Sequence, residues 1–424
     1  MPKSTKHAGS VGRRSVELWR IAAALIGVSL LIGTVAVFAY EADAIGRSAA
    51  RQRSLTPFYT PPPIQRGSRP GTLLRVEPMP YLSVRGGTAA RILYVSDQAG
   101  RPSVSSGMVF TPSAPPPAGG RPVLAWAHGT LGQGDPCVPS RSAKPTNGFK
   151  WVEQALAAGW VVSATDYSGL GTPGPASYLI GTDEAHDVLN AVRAARQVPN
   201  STAGSRFVVY GHSQGGHASL WTADLARSYA PELTLVAAAA AAPATELVDL
   251  VHLQWRSPVA WAIGPPIVED WPRYYPSLRP TTVLTGAGKR NAARIANECI
   301  SLAAAEGLIR QRVFNEHLFT QDPSVLPAWR AALAEQQPPA PDVPTLIAQG
   351  TTDPVILPAT TARYIAAACR SGAPLSQLWL GGVGHMKAGN TAGPAVVQWL
   401  QERLAGIPTA RNCELQPPVQ PYRR

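Results

Sequence analysis

The sequence predicts an α/β protein: a mostly parallel central sheet with helices on both faces, a helical insertion, and an apolar N-terminal segment ahead of it all. Three observations predict it. Apolar strand-like runs alternate with helix-like runs, and the strands lack the polar alternation of a half-exposed sheet. From Pro243 to about Pro338 that rhythm breaks in a tryptophan- and proline-rich stretch. Third, Arg206–Leu220 (RFVVYGHSQGGHASL) runs a strand into a helix through a G-x-S-x-G turn.

The elements follow in order. Short strands are expected at Arg91–Ser96, Met108–Thr111 and Val123–Ala127, the last two separated by the proline-rich turn Pro112–Pro122. Lys150–Ala158 reads as a helix stopped by Gly159, and Trp160–Thr165 as a strand ending in Asp166-Tyr167. Asp183–Gln197 is an amphipathic helix with Ala185, Val188, Leu189 and Val192 on one face. The elbow strand leads to a helix opening at about Gln214, and Leu235–Ala242 is a small-residue strand. In the irregular stretch Trp255, Trp261, Trp271, Tyr274 and Tyr275 crowd together, and Asn291–Arg310 is helix-like. Thr345–Ala348 (strand), Leu357–Ser371 (helix), Gln377–Leu380 (strand) and Ala395–Leu404 (helix) then resume the sheet pattern. The expected organisation is a core from residues 71–242 and 339–415, a cap from 243–338 and a tail from 416–424.

Composition bounds the function. The 45% hydrophobic content supports a sizeable core, and 42 prolines with 38 glycines point to ordered turns rather than a helical bundle. The net charge of +12 is not a nucleic-acid footprint, because half of it comes from residues 1–66, with nine basic against three acidic side chains. No basic stripe with interleaved aromatics follows. Those charges flank the 20-residue apolar run Ile21–Tyr40, long enough to span a bilayer, with a basic flank that holds the N-terminus inside. Residues 1–44 therefore read as a signal anchor. Small residues at Val37/Ala39 and Ala42/Ala44 leave a cleaved signal as the alternative. Either way the rest of the chain is exported, and residues 45–70 read as a polar, proline-rich linker off the membrane. All four cysteines (Cys137, Cys299, Cys369 and Cys413) fall in the exported part, so two disulfides are expected, with three pairings open. No C-x-x-C or histidine cluster points to a metal, and no cofactor motif is present.

The chemistry starts at Ser213. A serine hydroxyl needs a histidine to take its proton and a carboxylate to orient that histidine. In this strand–turn–helix context the partners follow in the order acid, then histidine, each after a strand end. Leu346-Ile347-Ala348 leads to Asp353, and Leu378-Trp379-Leu380 leads through a glycine loop to His385. The rival acids Asp342 and Asp322 do not end a sheet strand, and His317, His252 and His186 lie in the cap or within a helix. His212 and His217 read as elbow packing and a helix-face residue. An oxyanion hole needs two N–H groups. Gln214 is the first, and the loop after Val123–Ala127 offers Thr130, with Gly129 next.

GHSQGG, AWAHGTLGQGDPCVPS and ATDYSGLGTPGPASYLIG together resemble the secretory lipase family, α/β-hydrolases that include yeast lipase A-type enzymes and actinobacterial relatives. The resemblance covers roughly residues 70–415. It implies an α/β-hydrolase fold and hydrolysis of carboxylic esters, including acylglycerols, under a cap inserted between serine and acid. It also implies the pairings Cys137–Cys299 and Cys369–Cys413, tying the oxyanion loop to the cap and the tail to a core helix. His128-Gly129-Thr130 departs from the acidic residue that yeast members carry in that loop. Two rivals stand beside ester hydrolysis: the same triad used for acyl transfer or peptide cleavage, and a membrane-tethered binding protein on a catalytically dead fold.

Overall fold

The computed structural model describes residues 48–408 and 411–423, and the chain divides into two compact units, residues 1–56 and 57–424. The apolar run Ile21–Tyr40 lies outside the described residues, among which no helix is long and apolar enough to cross a membrane. In the first unit, residues 48–56 are helical (α1), where composition reads a polar, proline-rich linker. The second unit begins with packed chain, not linker. Phe58 and Tyr59 are buried, the Tyr59 hydroxyl lies 2.6 Å from Ser140 Oγ, and the Arg141 guanidinium stacks on its ring.

Among the described residues nine strands form one sheet: β1 (Leu73–Pro78), β2 (Gly87–Gln98), β3 (Arg101–Pro112), β4 (Arg121–Ala127), β5 (Val161–Thr165), β6 (Ala203–His212), β7 (Thr234–Ala241), β8 (Thr345–Gly350) and β9 (Leu375–Leu380). Their order is β1-β2-β3-β5-β4-β6-β7-β8-β9. β1, β2 and β3 form an antiparallel edge that joins β5 antiparallel, and β5 through β9 are parallel. The sequence reading missed β1, whose LLRVEP is half exposed at the sheet edge, and saw only the apolar centres of β2 and β3.

Both faces of the parallel strands are covered, which is why they lack polar alternation. Val208 and Tyr210 of β6 pack with Trp126 and with α2 (Val152–Ala157) and α12 (His385–Leu404). Phe207 and Val209 face the other way, onto α3 (Gly181–Ala195) and α4 (Gln214–Tyr229), where Val188, Leu189 and Ala223 wait. α11 (Pro358–Arg370) closes that side against β8 and β9 through Tyr364 and Ile365. Between β7 and β8 the chain leaves the sheet for α5 (Leu247–Gln254), α6 (Pro258–Asp270), α7 (Pro280–Val283), α8 (Gly286–Ala296), α9 (Ile300–Phe314) and α10 (Pro327–Glu335). These pack around their own core, in which Trp261 and Trp271 are fully buried.

Two helices differ from the sequence reading, each for a physical reason. Asn291–Arg310 is not one helix: α8 ends at Ala296 and α9 begins at Ile300. The break carries Cys299, bonded to Cys137, and lets the backbone dock on the loop after β4: Gln133 N–H donates to the Ala296 carbonyl and Ile300 N–H to that of Leu131. The last helix starts ten residues before Ala395, at His385. Gly389, Gly393 and Pro394 fall inside this helix, and a methyl at Gly393 would sit 2.1 Å from the Trp151 ring. Those small residues serve close packing, and the helix forms around them.

The second disulfide joins Cys369 on α11 to Cys413 across 44 residues. A Cys369→Ser/Cys413→Ser double variant should lose about 3–4 kcal/mol of unfolding free energy, the chain-entropy value for a loop of that size. Denaturant midpoints check this, and an unmoved midpoint contradicts it.

Candidate active site

The site is built on the C-terminal ends of the parallel strands. β6 ends at His212 and α4 begins at Gln214, so Ser213 alone makes the turn, with φ +59° and ψ −118°. That is left-handed backbone, costly for a non-glycine residue, and the packing on either side enforces it. A methyl on Gly211 would meet the Gly215 carbonyl oxygen at 1.9 Å, and one on Gly215 would meet the Ala127 carbonyl oxygen at 1.9 Å. Both flanking glycines are therefore required by contact. Ser213 N–H is held by the Ala241 carbonyl at 2.9 Å, fixing the turn to β7.

Ser213, His385 and Asp353 come together in one hydrogen-bonded line. Ser213 Oγ lies 2.9 Å from His385 Nε2, and His385 Nδ1 lies 2.8 Å from Asp353 Oδ2. All three are buried. Asp353 sits in the turn after β8, where Oδ1 accepts the N–H groups of Val355 (2.8 Å) and Ile356 (2.9 Å). Gln349 Nε2 donates to Oδ2 at 3.3 Å, so every face of the carboxylate is engaged and only one orientation toward His385 survives. His385 is the first residue of α12, behind the glycine loop that follows β9. The rival acids are occupied elsewhere: Asp322 with His252 at 2.6 Å, and Asp342 with Arg227 at 3.2 Å.

His212 is more than elbow packing. Its Nε2 lies 3.0 Å from the His385 carbonyl oxygen and donates to it. Burial, with the His385 ring beside it, lowers its pKa to about 3. It therefore stays neutral and pins the start of α12.

Gly129 and Thr130 line the same cleft as Ser213 and His385. Their loop is held from β5's end, by the part of the sequence (DYSGLG) that residue-by-residue reading left without a role. The Tyr167 hydroxyl donates to the His128 carbonyl at 3.1 Å, and the two rings pack at 4.7 Å with their planes tilted by 53°. Buried Asp166 accepts from Ser106 Oγ at 2.7 Å, from Ser140 N–H at 3.1 Å and from the Ser140 hydroxyl. Thr130 Oγ1 meets the Tyr178 hydroxyl at 2.7 Å. Asp187 accepts from Ser168 N–H and Oγ, both at 2.7 Å, securing the rest of the loop to α3.

Two cavities meet at Ser213. One, of about 90 Å³, is almost wholly apolar and runs under the helical insertion between Leu247, Leu250, Ile263, Phe319 and Trp329. The other, of about 610 Å³, is wider and more polar, bounded by Thr130, Lys144, Asn147, His385, Asn390 and Leu308. The aromatics of the insertion divide between the apolar cavity and the insertion's interior: Trp255 and Trp329 line the cavity, while Trp261 and Trp271 are core. Among the described residues no group of histidine, cysteine, aspartate and glutamate side chains is placed to hold a metal.

The sequence profile of the Secretory lipase family matches residues 148–412. A protein named probable inactive lipase, from Mycobacterium tuberculosis, is 30% identical over 45% of this chain, and the match spans 46% of that relative's length. Trichothecene C-3 esterase of Fusarium sporotrichioides is 23% identical over 86% of the chain and 87% of its own. Lipase A of Candida antarctica superposes with a TM-score of 0.70 at 19% identity, over 86% of this chain and 89% of that one, a likeness of fold.

Burial pushes the Asp187 carboxyl up to about 7, against an ordinary value near 4. The folded state thus binds a proton that the unfolded chain has released, and this contribution fades as pH rises from about 4 through about 7. Relative to Asp187→Asn, which does not titrate there, the wild type should lose stability over that interval. Parallel urea titrations at pH 4, 6 and 8 check it, and a pH-independent difference contradicts it.

Proposed function

This chain belongs to the secretory lipase family, and we propose that it hydrolyses carboxylic esters through a Ser213 acyl-enzyme. One observation carries the reading: a single hydrogen-bonded line from Asp353 through His385 to a strained serine at the meeting point of two cavities. In the proposed reaction Ser213 Oγ attacks the ester carbonyl carbon while His385 Nε2 takes its proton. The carbonyl π electrons move to oxygen, and the N–H groups of Gln214 and Thr130, with Gly129 as the neighbouring donor, face that charge. Collapse breaks the C–O bond, the leaving alkoxide takes the proton from His385, and acyl-Ser213 remains. Water activated by His385 then repeats the sequence and releases the acid. Asp353 keeps the Nδ1–H tautomer and stabilises the imidazolium that forms twice per cycle.

The apolar cavity fits the acyl chain and the wider cleft the alcohol. The apolar cavity is narrow and enclosed by Leu247, Leu250, Ile263 and Phe319, which suits an unbranched acyl tail of short to medium length. We assign work outside the cytoplasm on the two disulfides and the family's secretory character, with Ile21–Tyr40 as the export segment. The name of the mycobacterial relative supports a second reading, a lipase fold without turnover. The triad geometry weighs against it here, since no member is missing.

A p-nitrophenyl ester series from two to sixteen carbons tests the proposal on the full chain. Turnover should favour short to medium acyl chains over the longest, and Ser213→Ala should lower kcat by a factor on the order of 10⁴ or more while leaving the melting temperature intact. Wild-type inactivity on every ester, or a Ser213→Ala enzyme that keeps most of its turnover, sinks the reading.

A further inference from the structure

Glu184 lies three residues into α3, on its apolar face four before Val188, and is 1% exposed. A carboxylate there is expensive, and an apolar side chain of the same volume packs at lower cost, so packing alone does not account for it. Its oxygens meet three donors. Oε1 accepts from Gln214 Nε2 at 2.8 Å and from Leu179 N–H at 2.9 Å. Oε2 accepts from His217 Nδ1 at 2.9 Å, and the other ring nitrogen of His217 faces the Gln336 carbonyl oxygen at 2.9 Å. Gln336 in turn accepts from Gly181 N–H at 2.8 Å, at the first residue of α3.

The two donors on Oε1 are the ones that matter. Gln214 is the residue whose N–H faces the proposed oxyanion from one side. Leu179, at φ +54°, follows Tyr178, whose hydroxyl meets Thr130 Oγ1 on the other side. One buried oxygen therefore reaches both halves of the hole, one through a side chain and one through a strained turn. We propose that Glu184 is a positioning residue for the oxyanion hole, holding Gln214 directly and Thr130 through the Tyr178–Leu179 turn. The inference rests on the ester-hydrolase reading above. A hole whose donors are pre-aimed gains most in the transition state, so loosening it lowers kcat far more than it changes KM.

The test compares full-length wild type with Glu184→Leu, Glu184→Gln, Gln214→Met and the Glu184→Leu/Gln214→Met pair on p-nitrophenyl octanoate. Each protein is also titrated with an octyl trifluoromethyl ketone, which forms a tetrahedral oxyanion on the serine. Glu184→Leu should lower kcat by about 10²-fold and raise the ketone's inhibition constant by the same factor, with KM within about threefold. Glu184→Gln, whose carboxamide oxygen still accepts from Gln214 and Leu179, should recover at least about tenfold of that loss. The double variant should fall no further than Glu184→Leu, because both changes release the same group. If Glu184→Leu does not fold, Gln214→Met carries the test, with a reduced kcat and a weakened ketone expected. Wild-type kcat and ketone affinity in the folded Glu184 and Gln214 variants overturn this proposal alone. Turnover unaffected by Ser213→Ala overturns the hydrolase reading beneath it.

Discussion

The contact between Gly215 and the Ala127 carbonyl governs the site. With 1.9 Å to spare for a methyl that needs nearly twice that, only glycine lets α4 pass so close to the end of β4. That approach forces the chain to turn within one residue, which puts Ser213 in left-handed backbone with its hydroxyl 2.9 Å from His385 Nε2. It also sets the start of α4, and hence the Gln214 N–H, beside the loop that follows β4. Because β4 and β6 are parallel neighbours, that loop and the elbow emerge on the same edge. β8 and β9, parallel again, deliver Asp353 and His385 to the same edge. The local strain, about 1–3 kcal/mol for such a residue, is held by the sheet around it.

The helical insertion is fastened to this edge. The Cys137–Cys299 bond and two backbone hydrogen bonds join it to the loop after β4, so the walls of the apolar cavity and that loop are not independent. Asp270 of α6 accepts from Gln133 Nε2 at 2.7 Å and Tyr178 N–H at 3.1 Å, and Trp271 donates to the Tyr178 carbonyl at 2.8 Å. Burial raises the Asp183 and Asp270 carboxyls to about 6 each, and that of Asp166 upward too. These costly groups gather where loops must be fixed without regular secondary structure, which is where hydrogen bonds to buried carboxylates substitute for a ladder.

Much of this was legible in the sequence because the determining signals are local. The elbow needs glycine two residues either side of the serine, and strand ends mark the turns that carry Asp353 and His385. The disulfide pairing followed from the motif resemblance rather than from spacing. What was not legible depends on contacts distant in the chain. Gly389 and Gly393 look like helix breakers until His212 and Trp151 are seen against them. The break between α8 and α9 answers to a loop some 160 residues earlier, across a disulfide separation of 162. Asp166, Tyr167 and Glu184 had a signal of a kind: Glu184 interrupts an apolar helix face, an anomaly that periodicity analysis records as noise. His212 gave none, since its role lies in one backbone carbonyl of α12.

Ester hydrolysis at this site requires Ser213 to be an activated nucleophile. The most direct test of that requirement is intact mass measurement after exposure to a fluorophosphonate, followed by peptide mapping, with no assumption about the natural substrate. One adduct per chain is expected, located on Ser213 and forming far more slowly when His385 is replaced by alanine. A chain that takes up no phosphonate, or takes it up at a serine other than Ser213, contradicts it.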